Sequence, residues 1–373
     1  MTSAPSKFDL PTVEHDEDEE PPSIGITRNR ALLFGFFVLS TAGFLYFVLP
    51  QIAGLGETWH RLEEGDPWWL VAAAVFEAGS YFGHIWLFRI AFVREGVRIS
   101  WRESYEVTLA GVAATRLFSA AGAGGLALTA WAMRRWGLPR RVVAARLVAF
   151  LVLLYSIYDL ALVIGGFGLY LGVFPGPAPF AITMVPAIFG LFAFVATLAI
   201  ALVPHDIEVR LEEWSRGHGR GSRLLAKVAA LPASFGEGVR IAIEIVRRGE
   251  WGLLGSIVWW AFDVLTLWAC FHAFGADVPP FAVIVVAYFV GMLGNTLPLP
   301  GGVGGVDGGM IGAFAAFGVD FGYAAVAVLA YRAFSFWLPT LPGALAYFQL
   351  RRTVARWREE RRARRAVEKP ATA

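Results

Sequence analysis

The sequence predicts an all-α polytopic membrane protein. It would be built from inverted-topology repeats, each with a glycine-rich re-entrant helical hairpin, giving about six full spans plus two hairpins. Three observations predict it. Apolar residues make up 57% of the chain and charged residues only 17%, with a mean hydropathy of +0.56, which no soluble domain of this length would carry. Two apolar stretches are broken near their middles by glycine clusters. Arginine crowds one set of loops and avoids the other.

From the N-terminus, residues 1–27 carry an acidic run, Glu14 and Asp16 to Glu20, and read as a disordered cytoplasmic leader. The first apolar run follows at 31–53 without a convincing cleavage site, so it reads as a spanning helix rather than a signal peptide. With about 20 apolar residues per crossing, further spans fall at 69–93, 142–172, 181–203, 252–274 and 323–348. The stretches 103–133 and 281–317 break that rule, each giving two short arms around a glycine kink, and read as helical hairpins. The membrane domain is then 28–350, with repeat one at about 69–172 and repeat two at about 252–348. Between the repeats, 205–250 is a charged, amphipathic cytoplasmic linker that reads as an interfacial helix. The basic cytoplasmic tail 351–373, with Trp357 among arginines, reads as an anchor to anionic lipid, and nothing points to nucleic acid.

Basic residues orient the chain. The segments holding Arg28 and Arg30, Arg94 to Arg102, Arg134 to Arg141, the linker and the tail are predicted inside, whereas the opposite loops hold only Arg61. Both termini are therefore expected in the cytoplasm of a plasma-membrane protein. The two hairpins would enter from opposite faces, and an offset of 180 residues lays Gly122, Gly124 and Gly125 on Gly302, Gly304 and Gly305. Each hairpin leads through a turn and an alanine pair to a span with an arginine, Arg146 or Arg332. Such inverted repeats are an architecture of transporters.

The segment 295–310, NTLPLPGGVGGVDGGM, concentrates the functional signal, because broken backbone at membrane depth is tolerated only where protein buries it or a wet cavity meets it. Pro298 and Pro300 remove two donors, and the following amides suit an anionic headgroup. Gly301, Gly305 and Gly309 recur every four residues, as do Gly304, Gly308 and Gly312, so two faces of one arm are open to close packing. Asp307 lies one to two turns into that arm, where a charge needs a partner or water. The same holds for Glu77, Asp159, Asp263, Arg116 and Arg332; a buried ion pair is the plainer account of each, and Glu77, Asp159 and Asp263 are candidate coupling carboxylates. Cys270 is the only cysteine, the histidines are scattered, and no phosphate loop or zinc motif occurs, so neither cofactor nor metal is expected. The fingerprint-like 122–127 follows no strand and is discounted as a dinucleotide site.

The run from Pro300 to Asp307, the path to Arg332 and the weaker first copy resemble the transmembrane domain of lysylphosphatidylglycerol synthase, over roughly 30–350. That flippase-like family typically shows Pro-Gly-Gly-x-Gly-x-x-Glu, with Asp307 here in place of the glutamate. The resemblance implies a membrane unit that moves a lipid between leaflets, without the cytosolic domain that makes the aminoacylated lipid. The expected substrate is a phospholipid, an aminoacyl-phospholipid or a polyprenyl-phosphate-linked lipid. Arg332 and Arg116 would hold its phosphate, Asn295, Pro300, Gly301, Gly302, Gly304 and Gly305 would shape the headgroup site, and Asp307 would orient an arginine or select a cationic headgroup. The alternative is a non-transporting scaffold or accessory subunit for a separate lipid synthase or glycosyltransferase; a membrane-embedded transferase lacks its paired acids or metal signature.

Overall fold

The computed structural model of the chain describes residues 65–94, 96–118, 123–201, 222–275, 277–296, 302 and 304–368. The leader, the span expected at 31–53 and the positions Gly122, Pro300 and Gly301 lie outside the described residues. What is described is helical: α1 (Pro67–Phe92), α2 (Trp101–Phe118), α3 (Ala123–Trp136), α4 (Arg140–Tyr170), α5 (Phe180–Ala201), α6 (Ser222–Arg247), α7 (Leu254–Phe274), α8 (Phe281–Met292), α9 (Gly305–Ala316), α10 (Phe321–Arg332) and α11 (Leu338–Glu368). A 3-10 turn, Leu293–Thr296, extends α8, and a π turn, Ala333–Trp337, joins α10 to α11. Among the described residues five helical stretches are long and apolar enough to cross a membrane: Pro67–Phe92, Arg140–Tyr170, Phe180–Ile200, Leu254–Phe274 and Phe321–Arg361. They coincide with the five later spans expected from the sequence. The two interrupted stretches form helix pairs, α2 with α3 and α8 with α9, each packed arm against arm.

Local chemistry sets the helix starts. Asp66 accepts the Trp68 N–H at 2.8 Å ahead of Pro67, and Asp320 accepts the Tyr323 N–H at 2.8 Å, so each aspartate satisfies an amide that the first turn leaves without a partner. At α2, Ser100 and Glu103 form a reciprocal capping box: the Glu103 N–H donates to the Ser100 hydroxyl and the Ser100 N–H to the Glu103 carboxylate.

Because lipid is as apolar as leucine, helices here gain little from hiding apolar surface from one another. An interhelical side-chain hydrogen bond adds only about 0.6 kcal/mol on average in such a setting, so close backbone approach must carry much of the packing. Glycine provides it. A Cβ on Gly255 of α7 would lie 2.7 Å from the Gly83 carbonyl of α1, and one on Gly83 would lie 2.6 Å from the Trp259 N. Gly125 of α3 rests on the Gly111 carbonyl of α2, at 2.6 Å from its added Cβ, and Gly343 of α11 rests on Leu109 of α2 at 2.8 Å. In α9, Gly305 faces Gly294 and a Cβ on Gly309 would lie 3.1 Å from the Gly291 carbonyl, whereas one on Gly308 or Gly312 would meet nothing within 4 Å. One of the two glycine rows read from the sequence is thus packed and the other is open.

Two expectations about the charged segments change. Trp357 is not presented to lipid headgroups: α11 continues through the basic stretch, and the Trp357 indole is buried and donates to Glu103 of α2 at 2.9 Å. Arg356 joins the same carboxylate at 2.9 Å, and Thr353 donates to the buried Glu106 at 2.6 Å. A carboxylate pair on α2 therefore claims this face of the tail. In the linker, the end of α6 is packed against protein rather than lying alone at an interface, with Val239, Ala242 and Ile245 buried and an added Gly238 Cβ 2.7 Å from the Ala145 carbonyl of α4. The amphipathic residues expected between 205 and 221 lie outside the described residues.

Gly255→Leu should abolish the monodisperse folded protein in size-exclusion chromatography, whereas Gly308→Ala and Gly312→Ala should change thermal stability by less than about 1 kcal/mol. A second prediction concerns Glu103. Burial by itself raises this carboxyl, but hydrogen bonds from the Ser100 backbone, Trp357 and the Ser100 hydroxyl, with the Arg356 charge, outweigh it and hold the group below the usual carboxylate range. A group depressed on folding contributes stability above its unfolded range and loses it as pH falls through the lowered one. Acidification should therefore lower the wild-type Tm in a step that Glu103→Gln diminishes, and at neutral pH that variant should cost about 1–2 kcal/mol.

Candidate functional site

The site grows from a defect in the last span. Pro339 has no N–H, so the carbonyl of Ser335, four residues earlier, loses its helical donor. The chain answers with a π turn, in which the Leu338 N–H reaches back to the Ala333 carbonyl. Arg116 of α2 then donates to the Ser335 carbonyl through Nη2 and to the Phe336 carbonyl through Nη1, the latter at 2.8 Å. Tyr81 of α1 donates to the Ser335 carbonyl at 3.2 Å and accepts from Arg116. A break that lipid cannot satisfy has become the seat of a guanidinium.

Arg332 arrives at the same place from α10. Its Nε lies 2.5 Å from Oδ1 of Asp307 on α9, and both side chains are 12% exposed. Asp307 is the third residue of α9, shallower in the arm than its sequence position suggests, and its other oxygen accepts the Gly304 N–H at 2.9 Å. The amide expected to receive a headgroup is thus held by a carboxylate of the chain itself. Phe336 ties the two arginines together: the Arg116 guanidinium lies 5.3 Å and that of Arg332 4.7 Å from the centre of its ring. Both distances are within cation–π range, worth about 0.5–2 kcal/mol each according to desolvation.

On the far side of Arg116 lie two acids. Along the antiparallel α1–α7 contact, Trp69 stacks on His272, Phe76 meets Phe262 and the Ser80 hydroxyl donates to the Trp259 carbonyl, a register that sets Glu77 opposite Asp263. Both are buried, at 3% and 5% exposure. Asp263 accepts the Tyr288 hydroxyl of α8 at Oδ2 and the Tyr331 hydroxyl of α10 at Oδ1, the second at 3.1 Å. Six helices, α1, α2, α7, α8, α9 and α10, therefore converge on one polar centre with the π turn.

Arg116, Arg332, Asp307, Glu77 and Asp263 are brought together. Asp159 is not: it is half-buried on α4, where its backbone packs on Gly190 of α5. Asn295 is exposed at the end of the 3-10 turn, and its Oδ1 occupies the place a Cβ on Gly302 would need. Gly302 and Gly304 have φ of +68° and +81°, so both the contact and the turn at Gly302 require glycine. The sequence reading missed Tyr81, Tyr288, Tyr331 and Phe336. One signal was available for the π turn, since 338–343, LPTLPG, repeats the two-proline-and-glycine pattern of 297–301, LPLPG.

The comparisons with known proteins agree with the resemblance seen in the sequence. The sequence model of a family described as the lysylphosphatidylglycerol synthase TM region matches residues 31–343. Three matches to UPF0104 membrane protein from Methanothermobacter thermautotrophicus also align. One is 37% identical over 113 residues, 30% of this chain and 32% of the relative. Another is 28% identical over 194 residues, 47% of this chain and 57% of the relative, and a third is 27% identical over 164 residues, 42% and 48%. Each alignment spans less than two thirds of the relative's length. By the extent of the family match, from 31 to 343, this chain is a member of the lysylphosphatidylglycerol synthase TM region family of integral membrane proteins.

Proposed function

We propose that the protein moves a phosphate-bearing lipid between the leaflets of the plasma membrane, the substrate being a phospholipid, an aminoacyl-phospholipid or a polyprenyl-phosphate-linked lipid. One observation carries the reading: Arg116 and Arg332, from helices far apart in sequence, meet on the Phe336 ring within the π turn. Paired guanidiniums are suited to phosphate because their planar forks donate to two oxygens at once. Arg116 places three of its five N–H donors on Tyr81 and the two carbonyls, so a phosphate can engage the rest without releasing the π turn. At Arg332 the acceptor a phosphate would displace is the Asp307 carboxylate.

In this reading the helix pairs α2–α3 and α8–α9 are re-entrant hairpins of two units with opposite orientation, both termini are cytoplasmic, and the site lies between the units. Gly302, Gly304 and Gly305, with Pro300 and Gly301 beside them, shape the headgroup side, and Asp307 releases Arg332 to the phosphate. No chemistry on the lipid is assigned. Transport then amounts to passing a charged headgroup through protein rather than through hydrocarbon, where an uncompensated charge is costly.

Two experiments test the proposal. Removing one member of the Arg332–Asp307 pair should destabilise the fold by about 3–5 kcal/mol, because a buried charge is left unpaired. The double variant Arg332→Leu, Asp307→Leu should regain Tm yet fail to move a fluorescent phospholipid in liposomes. Recovery of transport together with stability would remove Arg332 from the site. Topology is tested separately by single cysteines at Ala178 and Asp320 in a Cys270→Ser background. Both should label from outside, and labelling only from the cytoplasm would reverse the orientation.

A further inference from the structure

We infer that Glu77 and Asp263 form a proton site that keeps the arginine centre electrically neutral. They hold one proton between them before an anion arrives and take up a second when a phosphodiester occupies the centre. The inference rests on the lipid-phosphate reading and adds how the charge of that lipid is compensated.

The first proton follows from hydrogen-bond inventory. An ionised carboxylate is acceptor-only, so two carboxyls hydrogen-bonded to each other must hold a proton between them. The α1–α7 register sets Glu77 against Asp263 with both carboxyls buried, and Asp263 already accepts two tyrosine hydroxyls, so of the two Asp263 is the acceptor and Glu77 the donor. Among the described residues no partner reaches Glu77 Oε2, an arrangement costly for a buried carboxylate and tolerable for the carbonyl oxygen of an acid.

The second proton follows from charge. Arg116 and Arg332 are positive, Asp307 and Asp263 negative, and with Glu77 protonated the described side chains of the centre sum to zero. The other titratable groups facing the pair are neutral species: Tyr81 on α1, Cys270 on α7, Tyr288 on α8 and Tyr331 on α10. His84, further along α1 between the Phe150 and Trp259 rings, has no acid at Nδ1 and is counted neutral. Arg116 is the cation whose field reaches both carboxyls. A phosphodiester that engages Arg116 cancels that field and adds one negative charge. Neutrality returns if Asp263 takes a proton from water at the membrane surface, with no other covalent bond changed. The anion and the proton then cross together, and the loaded centre carries no net charge through the bilayer.

The test titrates short-chain phosphatidylglycerol, a monoanionic phosphodiester, into the full-length protein in zwitterionic nanodiscs across a pH series. Since the complex binds one proton more than the free protein, Kd should rise about tenfold per pH unit from the pH at which Asp263 loses its proton in the free protein up to the higher pH at which the complex loses it. The double variant Glu77→Gln, Asp263→Asn should bind with a Kd that does not vary with pH. A flat wild-type profile, or a slope that survives in the double variant, overturns the proposal. Infrared spectra without added phosphatidylglycerol provide an arm independent of transport: wild type at neutral pH should show a protonated-carboxyl C=O band that the double variant lacks. If the double variant does not fold, either single variant should also lose that band, because the remaining carboxyl must then carry the charge. Absence of the band in wild type overturns the proton site. Its presence in a protein that does not bind the lipid supports the proton site while sinking the lipid-phosphate reading.

Discussion

A carbonyl that loses its helical donor inside a bilayer must find another in protein, and this requirement organises the centre of the molecule. Pro339 orphans the Ser335 carbonyl, and the donors that answer, Arg116 and Tyr81, come from two different helices. Bringing Arg116 to that carbonyl holds α2 against α11, and bringing Tyr81 holds α1 beside both. The remaining charges then have their places decided for them. Two guanidiniums near one ring require negative groups close by, and Asp307 and Asp263 lie on the helices that supply them. A single missing amide hydrogen thus connects backbone geometry to the electrostatics of the whole centre.

The apolar packing obeys a different rule from that of a soluble core. Large aromatic side chains fill the α1–α7 and α7–α8 contacts, yet backbones also approach closely where side chains are missing, at Gly83 with Gly255, Gly111 with Gly125 and Gly291 with Gly309. In water such pairs would forgo the apolar burial that stabilises a fold. Between helices in lipid that burial is worth little, and the gain lies in dispersion contact between backbones.

Much of this was legible in the sequence, for physical reasons that differ by residue. The spans and the interrupted stretches were readable because a bilayer imposes length and apolarity, and because glycine clusters inside such runs have few explanations. Arg332, Asp307, Glu77, Asp263 and Arg116 stood out because charge at that depth is expensive. Which of them meet was not readable: Asp159 looked equivalent to Glu77, and only the packing of α4 on α5 sets it apart. Tyr288 and Tyr331 were hidden because a tyrosine in an apolar helix resembles any other aromatic until its hydroxyl is seen to face an acid. Trp357 misled for a related reason, since a tryptophan among arginines carries the same signature at a lipid headgroup as on a carboxylate of a neighbouring helix.

The contact between α8 and α9 has a mechanical consequence. Where two helices touch through Gly291, Gly294, Gly305 and Gly309, the surfaces in contact are main chain, which has no rotamers to exchange. Sliding one arm past the other would drive Met310 into the Gly291 backbone, so the pair resists shear and moves as one stiff piece. The π turn between α10 and α11 is the opposite kind of element, a helix whose hydrogen-bond register is already altered and whose carbonyls are held by side chains from elsewhere. Any change of register in that turn would be felt at once by Arg116 and Tyr81, and through them by α2 and α1.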